Sequence, residues 1–439
     1  MQLPTQTFTT HRLVTLPSKD ELCKAFVGQP LSSLRSPAAI IDRSIFKANC
    51  QAMAKKVKDN GLRFRAHVKT HKTVEGIALQ VEAGGKVDKA VVCSTMTECW
   101  QIAESRLVKE GLVNDILYGM PIALDKLEDA KSLANYLRPH NAQFRLMVDS
   151  FTQIQALGQY AQKSSQPVGQ TPWSVMIKLD GGYHRAGLTV NSDELKQAIR
   201  LCLDSPYVEL FGFYAHFGHS YNARSEDDAH TYLQGEVEAI NGAAKMALEM
   251  DSRSSGPDDP YVLSFGATPT AHVSNTLVKD KVYGELELLT PTDRYFRLPR
   301  HAGNYCCLDL QQVATNLTSI ENVAVSVLSR VISAYPHRNE ALCDAGGIAM
   351  SKDTGPYPGF GKIVSPKEMS ERELGRVSQE HGILVQKQGA AKIALPEPGQ
   401  IIRICGQHAC MILSNHPWYY IVEDGGDKVV DVWVPWKGW

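Results

Sequence analysis

Arg63-Phe64-Arg65-Ala66-His67-Val68-Lys69-Thr70-His71-Lys72 is the stretch that decides the fold. Its first residues read as a strand that follows an amphipathic helix, and the strand runs directly into a polar hexapeptide, His67 to Lys72. A polar segment at the carboxyl end of a strand, early in a repeating strand–helix pattern, points into a site and not into solvent. Lys69 stands out within it. An amine crowded by other cations (here Arg65, His67, His71 and Lys72) loses its proton more readily, and a neutral amine forms a Schiff base with an aldehyde cofactor.

The strand–helix pattern extends to both sides. Upstream, Ala38-Ala39-Ile40-Ile41-Asp42 reads as a short buried strand. The helix after it carries Phe46, Cys50, Met53 and Val57 on one stripe and stops near Asn60-Gly61. Downstream, strands at Ala90–Ser94, Ile116–Gly119, Phe144–Val148, Val175–Leu179, Leu210–Tyr214 and Tyr261–Phe265 alternate with helical stretches. One of these is opened by Asn191 and Glu194 in capping-box spacing and striped by Leu195, Ile199 and Cys202. Eight strands alternating with helices over roughly 250 residues predict an α/β fold, a (β/α)8 barrel of the TIM type. It is expected over residues 36–282. An open doubly wound sheet would need a glycine-rich phosphate turn after its first strand, and Ile41-Asp42-Arg43-Ser44 is not one.

Past Val282 the texture changes to short β-rich runs: Val323–Ile332, Glu340–Cys343, Ile401–Ile404, Trp418–Val422 and Val429–Trp433. A mainly antiparallel β domain is expected over residues 283–439, with residues 1–35 as a leader associated with it. Trp433, Trp436 and Trp439 near the end read as an anchor or an interface.

With 43% hydrophobic and 21% charged residues among 439, and a formal net charge of −1, the composition gives no electrostatic case for a nucleic-acid partner or a membrane surface. No apolar run is long enough to span a bilayer. Met1 to Thr15 lacks the basic start and apolar core of a secretory signal. Ten scattered cysteines lack the spacing of a disulfide scaffold, so a reducing cytoplasm is the expected compartment.

In a barrel, function belongs at the carboxyl ends of the strands. Three of those ends are polar: Asp180-Gly181-Gly182-Tyr183-His184-Arg185-Ala186-Gly187, Tyr214-Ala215-His216-Phe217-Gly218-His219-Ser220-Tyr221 and Ser264-Phe265-Gly266-Ala267-Thr268-Pro269-Thr270. The last is small, rich in hydroxyls and opens a helix, which is the make-up of a phosphate cradle. Each alone is an ordinary turn. Together with a strand-end lysine they imply a phosphate-bearing carbonyl cofactor, pyridoxal 5'-phosphate.

His67 to Lys72, Gly182 to Gly187, Gly218 to Tyr221 and Gly266 to Thr270 resemble the pyridoxal-phosphate fold-type III group. The resemblance is to its alanine-racemase-like barrel, and within it to the D-threonine aldolase and eukaryotic D-serine dehydratase branch. It runs from Ser36 to Trp439 and includes Asp344-Ala345-Gly346. It implies that Lys69, not Lys72, holds the cofactor, that Tyr214 and Tyr221 contact it, and that Gly266, Ala267 and Thr268 bind its phosphate. His67 and Ser264 are further candidates for contact, and Arg185 for a hydrogen bond to the cofactor's phenolate oxygen.

Gln407-His408-Ala409-Cys410 lies in the expected β domain. On a strand, His408 and Cys410 would share a face, and imidazole with thiolate suits zinc. The resemblance implies zinc at His408 and Cys410 in dehydratases, where the aldolases carry His-x-Asp. It also usually places asparagine where Gln407 stands. A second departure is Leu289–Arg300, read as an insertion ahead of His301-Ala302-Gly303-Asn304-Tyr305. His381 falls in another recurring segment, with either a catalytic-side or a structural role. The expected activity is that of a lyase: a D-serine dehydratase (ammonia-lyase) yielding pyruvate and ammonia, with D-threonine as a further substrate. Aldol cleavage of D-β-hydroxy amino acids and dehydration of D-threo-3-hydroxyaspartate are the alternatives. The partners expected are a small D-β-hydroxy amino acid and a second copy of the chain in a head-to-tail homodimer.

Overall fold

A computed structural model describes residues 3–6, 10–59, 62–85, 89–163, 172–216, 218–252, 261–268, 296–297 and 299–439. Strand Arg63–His67 opens a ring of parallel strands. Ala90–Cys93, Asp115–Pro121, Gln143–Val148, Trp173–Asp180, Val208–Ala215 and Tyr261–Phe265 follow, each hydrogen-bonded to the next. Pro299–Ala302 closes the ring by pairing with both Tyr261–Phe265 and Arg63–His67.

The expected (β/α)8 barrel is therefore present, but its membership differs from the sequence reading at both ends. Ala38–Asp42, read as the first barrel strand, pairs instead with Val325–Tyr335 and Tyr419–Val422. All five of its residues are buried, and a strand covered on both faces reads as one apolar run whichever sheet it joins. The strand that closes the barrel comes from the segment read partly as an insertion. Of that segment, residues 289–295 and 298 lie outside the described residues.

The helix Arg43–Asp59 buries Phe46, Cys50, Met53 and Val57, the stripe visible in the sequence. Four helices on the barrel's outside start on side-chain caps. Thr73, Thr95, Ser192 and Ser225 each accept a hydrogen bond from a backbone N–H of the first turn. The cap of Asp193–Asp204 is Ser192 and not Asn191, because Asn191 takes a left-handed φ of 65° just outside the helix.

Six strands of the second unit form a closed antiparallel barrel. Val325–Tyr335 pairs with Glu340–Cys343, which is followed around the ring by Gly382–Gln386, Arg372–Val377, Gly361–Ser365 and Ile401–Gly406, and the last returns to Val325–Tyr335. Val327, Ile363, Leu374, Leu384 and Ile404 fill it. Ala38–Asp42, Tyr419–Val422 and Asp431–Trp433 extend the sheet toward the parallel barrel. Only the later part of the leader adds to the same edge, where Gly28 N–H donates to Val429 O at 2.8 Å and Val429 N–H to Gln29 O at 2.9 Å. Its earlier part meets the barrel instead, where Arg12 pairs with Glu104 and His11 stacks on Trp100.

A single hydrophobic core runs through both units and holds Ala409, Leu413, Tyr419, Trp433 and Trp436 together with barrel residues. This fixes the second unit against the barrel mouth. Trp436 N–H donates to the Lys72 carbonyl at 2.9 Å, so the end of the chain holds the turn that carries Lys69. No helix among the described residues is long and apolar enough to cross a membrane.

Candidate active site

Local hydrogen bonds shape the turn after Arg63–His67. Lys72 N–H donates to Val68 O at 3.0 Å, and Lys72 takes a φ of 53°. His71 is fully buried. Its Nδ1 accepts the Thr73 N–H at 3.2 Å, which leaves Nε2–H to donate to Gln80 Oε1 at 3.0 Å. Burial pushes His71 down to about 4, so it stays neutral and acts as part of the core.

The two lysines of the turn go different ways. Lys72 Nζ pairs with Glu98 Oε1 at 3.0 Å, a carboxylate 1% exposed. Lys69 belongs to none of the ion pairs among the described residues and lines a cavity of about 220 Å3 at the barrel mouth. His67, Arg185, Tyr214, Gly266, Ala267 and Thr268 line the same cavity. Ser264 does not. It is fully buried within Tyr261–Phe265, two residues short of Gly266. The side chain of Tyr221 lies outside the described residues.

Arg185 is placed by the loop after Trp173–Asp180. Asp180 Oδ1 accepts N–H groups from Gly182 and His184, both at 3.0 Å, and Gly187 N–H donates to Asp149 Oδ2 at 3.1 Å. Gly187 has φ +120°, and a Cβ there would lie 2.4 Å from the Leu179 carbonyl carbon, so only glycine fits.

Three further cavity residues carried no role in the sequence reading. Lys178 is 7% exposed in a largely buried strand. Burial and the charges of Arg185 and Lys69 push it down to about 8 against the opposing charge of Asp149. His216 donates Nδ1–H to Gly266 O at 2.9 Å, leaving Nε2 as an acceptor. Burial, aided by the charges of Lys69, Arg185 and Lys178, lowers it to about 3. The third, Asn304, is 5% exposed and donates Nδ2–H to Asp309 Oδ2 at 2.6 Å. His67 is likewise held well below the ordinary histidine value by burial and by the charges of Lys69, His216, Lys178 and Lys72. The cavity thus gathers two neutral imidazoles around cationic side chains. A signal for Lys178 did exist in the sequence, a lone lysine inside a buried strand.

His408 and Cys410 come together, though not through strand alternation. Ile401–Gly406 ends before them, His408 is the N-cap of the helix Ala409–Asn415, and Cys410 sits in its first turn. The imidazole and the thiol lie close enough for each to shift the other's protonation. Asp309 Oδ2 accepts the Ala409 N–H between them at 2.9 Å. Burial would lower His408, but Cys410, Asp309 and Asp353 outweigh it and raise the imidazole to about 9. Burial would raise Cys410, but His408, Lys69 and Thr70 bring the thiol below its ordinary value. Cys410 Sγ lies 3.1 Å from Thr70 Oγ1, one residue past Lys69. This contact forms within one chain. Among the described residues no cluster of three or more His, Cys, Asp or Glu side chains could hold a metal ion.

Gln407 points away from the pair, donating Nε2–H to Tyr357 O at 3.0 Å and Gly359 O at 2.8 Å. His381 is exposed just before Gly382–Gln386 and is not part of the cavity wall.

Known proteins share this architecture. The chain matches the family described as "Alanine racemase, N-terminal domain" over residues 41–272, and the one described as "Putative serine dehydratase domain" over residues 324–422. It is 42% identical to the D-serine dehydratase of Schizosaccharomyces pombe, with 96% of each chain covered. Identity to the D-serine dehydratase of Saccharomyces cerevisiae is 33%, over 95% of this chain and 100% of that one. A solved structure of D-threo-3-hydroxyaspartate dehydratase, a cysteine-to-alanine mutant in the metal-free form, superposes with a TM-score of 0.76 at 28% identity, over 94% of this chain and 100% of that one. The chain is a lyase and belongs to the alanine-racemase-like, fold-type III family of pyridoxal-phosphate enzymes, in the branch of the fungal D-serine dehydratases.

Proposed function

We propose that the protein is a D-serine dehydratase that uses pyridoxal phosphate and zinc to form pyruvate and ammonia, and that also accepts D-threonine. One observation carries the reading. The Thr70–Cys410 contact of 3.1 Å brings the imidazole–thiol pair of the β domain next to the residue that follows Lys69. A proton-abstracting amine and a group that assists hydroxide departure are then neighbours.

The cavity residues suit the cofactor. Lys69 offers an amine to its aldehyde. Thr268 Oγ1 is buried without a hydrogen-bond partner among the described residues, which is a place for a phosphate oxygen. Gly303 keeps the wall bare, since a Cβ there would lie 3.1 Å from His67 Cβ. Tyr214 and Arg185 border the same space, and Tyr221 is assigned to it by resemblance alone.

His408 and Cys410 suit zinc. An imidazole and a thiol side by side are a donor set that a soft divalent ion takes, and two protein ligands leave positions for water and a substrate hydroxyl. The metal-free form of the cysteine-to-alanine mutant of the related dehydratase supports this assignment.

When bound, pyridoxal phosphate supplies an electron sink for the charge left at Cα, and zinc a Lewis acid for the departing hydroxide. Lys69 would hold the cofactor, and its amine, when free, would take the α-proton from the face that a D-amino acid presents. His67 and His216, both neutral, add no charge beside that amine. The aminoacrylate released hydrolyses to pyruvate and ammonia. Cys410 stands where the resemblance implies aspartate in the aldolases, which favours dehydration over aldol cleavage.

A homodimer is part of the proposal. Met120 and Tyr183 at the barrel mouth, and Ile348 and Met411 on the β domain, are exposed apolar side chains suited to an interface. Sedimentation of the holoenzyme as a monomer would remove this part. The cytoplasm is the proposed compartment, since all ten cysteines are unbridged.

The holoenzyme should turn D-serine into pyruvate and D-threonine into 2-oxobutyrate. Acetaldehyde and glycine from D-threonine would replace the reading with aldol cleavage.

A further inference from the structure

The loop over residues 351–360 is fastened along its length. Asp353 N–H donates to Ser351 Oγ at 3.0 Å, and Gln311 Nε2 to Thr354 O at 3.1 Å. Gln407 Nε2 reaches Tyr357 O at 3.0 Å and Gly359 O at 2.8 Å, and Phe360 N–H donates to Leu374 O at 2.7 Å. Gly355 packs so closely on Gln407 that a Cβ would lie 2.6 Å from Oε1. Gly359 has φ +67° and is as tight, since its Cβ would lie 2.6 Å from Leu374 O. Side chains at either glycine would force the loop off its anchors.

What this loop presents is Asp353. Its Oδ2 stands 2.5 Å from His408 Nδ1, with the two side chains 38% and 32% exposed. A carboxylate on one ring nitrogen does two things to an imidazole. It keeps the proton on Nδ1, which leaves the Nε2 lone pair free for a metal, and it makes that lone pair a stronger donor. Because Nδ1 is committed to Asp353, Nε2 is the ring nitrogen left for a metal.

We propose that Asp353 is a positioning residue for the metal ligand His408, and that Gln407 serves it by anchoring the loop that carries it. The inference rests on the zinc reading above and concerns residues to which that reading gives no part. It also gives a role to Gln407, where the chain departs from the asparagine usual in the family. The anchoring side chain of Gln407 turns away from the ligands and toward the loop.

The test is zinc affinity, not turnover. Full-length protein loaded with pyridoxal phosphate and stripped of metal is titrated with Zn2+ against a chromophoric chelator. Wild type should bind one ion, and Cys410→Ser should lose it. Asp353→Asn should bind about 10–100-fold more weakly, the range expected when a carboxylate behind a ligating histidine is lost. Its cofactor absorbance and its metal-free thermal midpoint should match wild type, and Asp353→Glu should restore most of the affinity. Asp353→Asn with wild-type affinity would overturn the proposal and leave the zinc reading standing. Weakened binding together with a lowered metal-free midpoint, not rescued by Asp353→Glu, would make Asp353 merely structural and overturn the proposal too. Wild-type protein that binds no zinc would remove both the proposal and the zinc reading.

Discussion

Thr70 Oγ1 lies 3.1 Å from Cys410 Sγ, and this contact ties the lysine-bearing turn of the barrel to the imidazole–thiol turn of the β domain. Thr70 is 2% exposed, so its hydroxyl has little water to turn to. A hydrogen bond contributes about 0.5–1.5 kcal/mol. Thr70→Val should therefore lower pyruvate formation from saturating D-serine up to about tenfold, since roughly 1.4 kcal/mol is tenfold in rate. Thr70→Ser, which keeps the hydroxyl, should stay near wild type.

Lys69 and Lys72 should separate cleanly. Lys69→Ala should lose the near-visible absorbance of bound cofactor and all turnover while remaining folded. Persistence of that band would remove Lys69 from its role. Lys72→Met should keep the band but leave Glu98, 1% exposed, without its cation. Removing one partner of a buried pair costs about 3–5 kcal/mol, here at the lower end because Lys72 is partly exposed. Urea unfolding of both variants measures the difference.

Lys178 gives a pH signature of stability. Burial first, then Arg185 and Lys69 against Asp149, lowers it from the ordinary 10.5 to about 8. Between those two values the unfolded chain binds the proton that the folded chain has released, so stability from this group rises with pH across that window. Below pH 8 the penalty is fully present. Lys178→Met should remove this rise, and the gap between variant and wild type in urea melts should be widest below pH 8 and shrink toward pH 10.5.

At the other end of the barrel, Asp115 accepts from Arg65 at 2.6 Å and from Arg145 at 2.9 Å. Burial would raise Asp115, but the two guanidinium groups lower it below the ordinary aspartate value. Its contribution to stability is complete above the ordinary value of about 3.9 and is lost as pH falls below it. Asp115→Asn should destabilise by about 3 kcal/mol, because two largely buried cations lose the carboxylate they share. A chemical denaturation midpoint unchanged at pH 7 would contradict this.

Much of the scaffold was legible. The stripe Phe46, Cys50, Met53 and Val57 is the buried face of Arg43–Asp59, and Glu340–Cys343 has the bounds its β-rich run suggested. Lys69 could be singled out as a cation in a polar turn at a strand end, and His408 and Cys410 as an imidazole–thiol pair that the family resemblance marks. Asp353 could not, since an aspartate in a loop of glycine, proline and threonine looks like any solvated turn.

By itself the sequence determined local periodicity, and with it the alternation of strands and helices, the change to short β-runs and the reactive side chains at strand ends. Only the tertiary structure decided that Ala38–Asp42 leaves the barrel, that Pro299–Ala302 closes it, and that Asp353 meets His408 across 55 residues of chain. Strand pairing and side-chain meetings of this kind are set by partners distant along the chain. A buried apolar run records that it is covered on both faces, not which neighbour covers it.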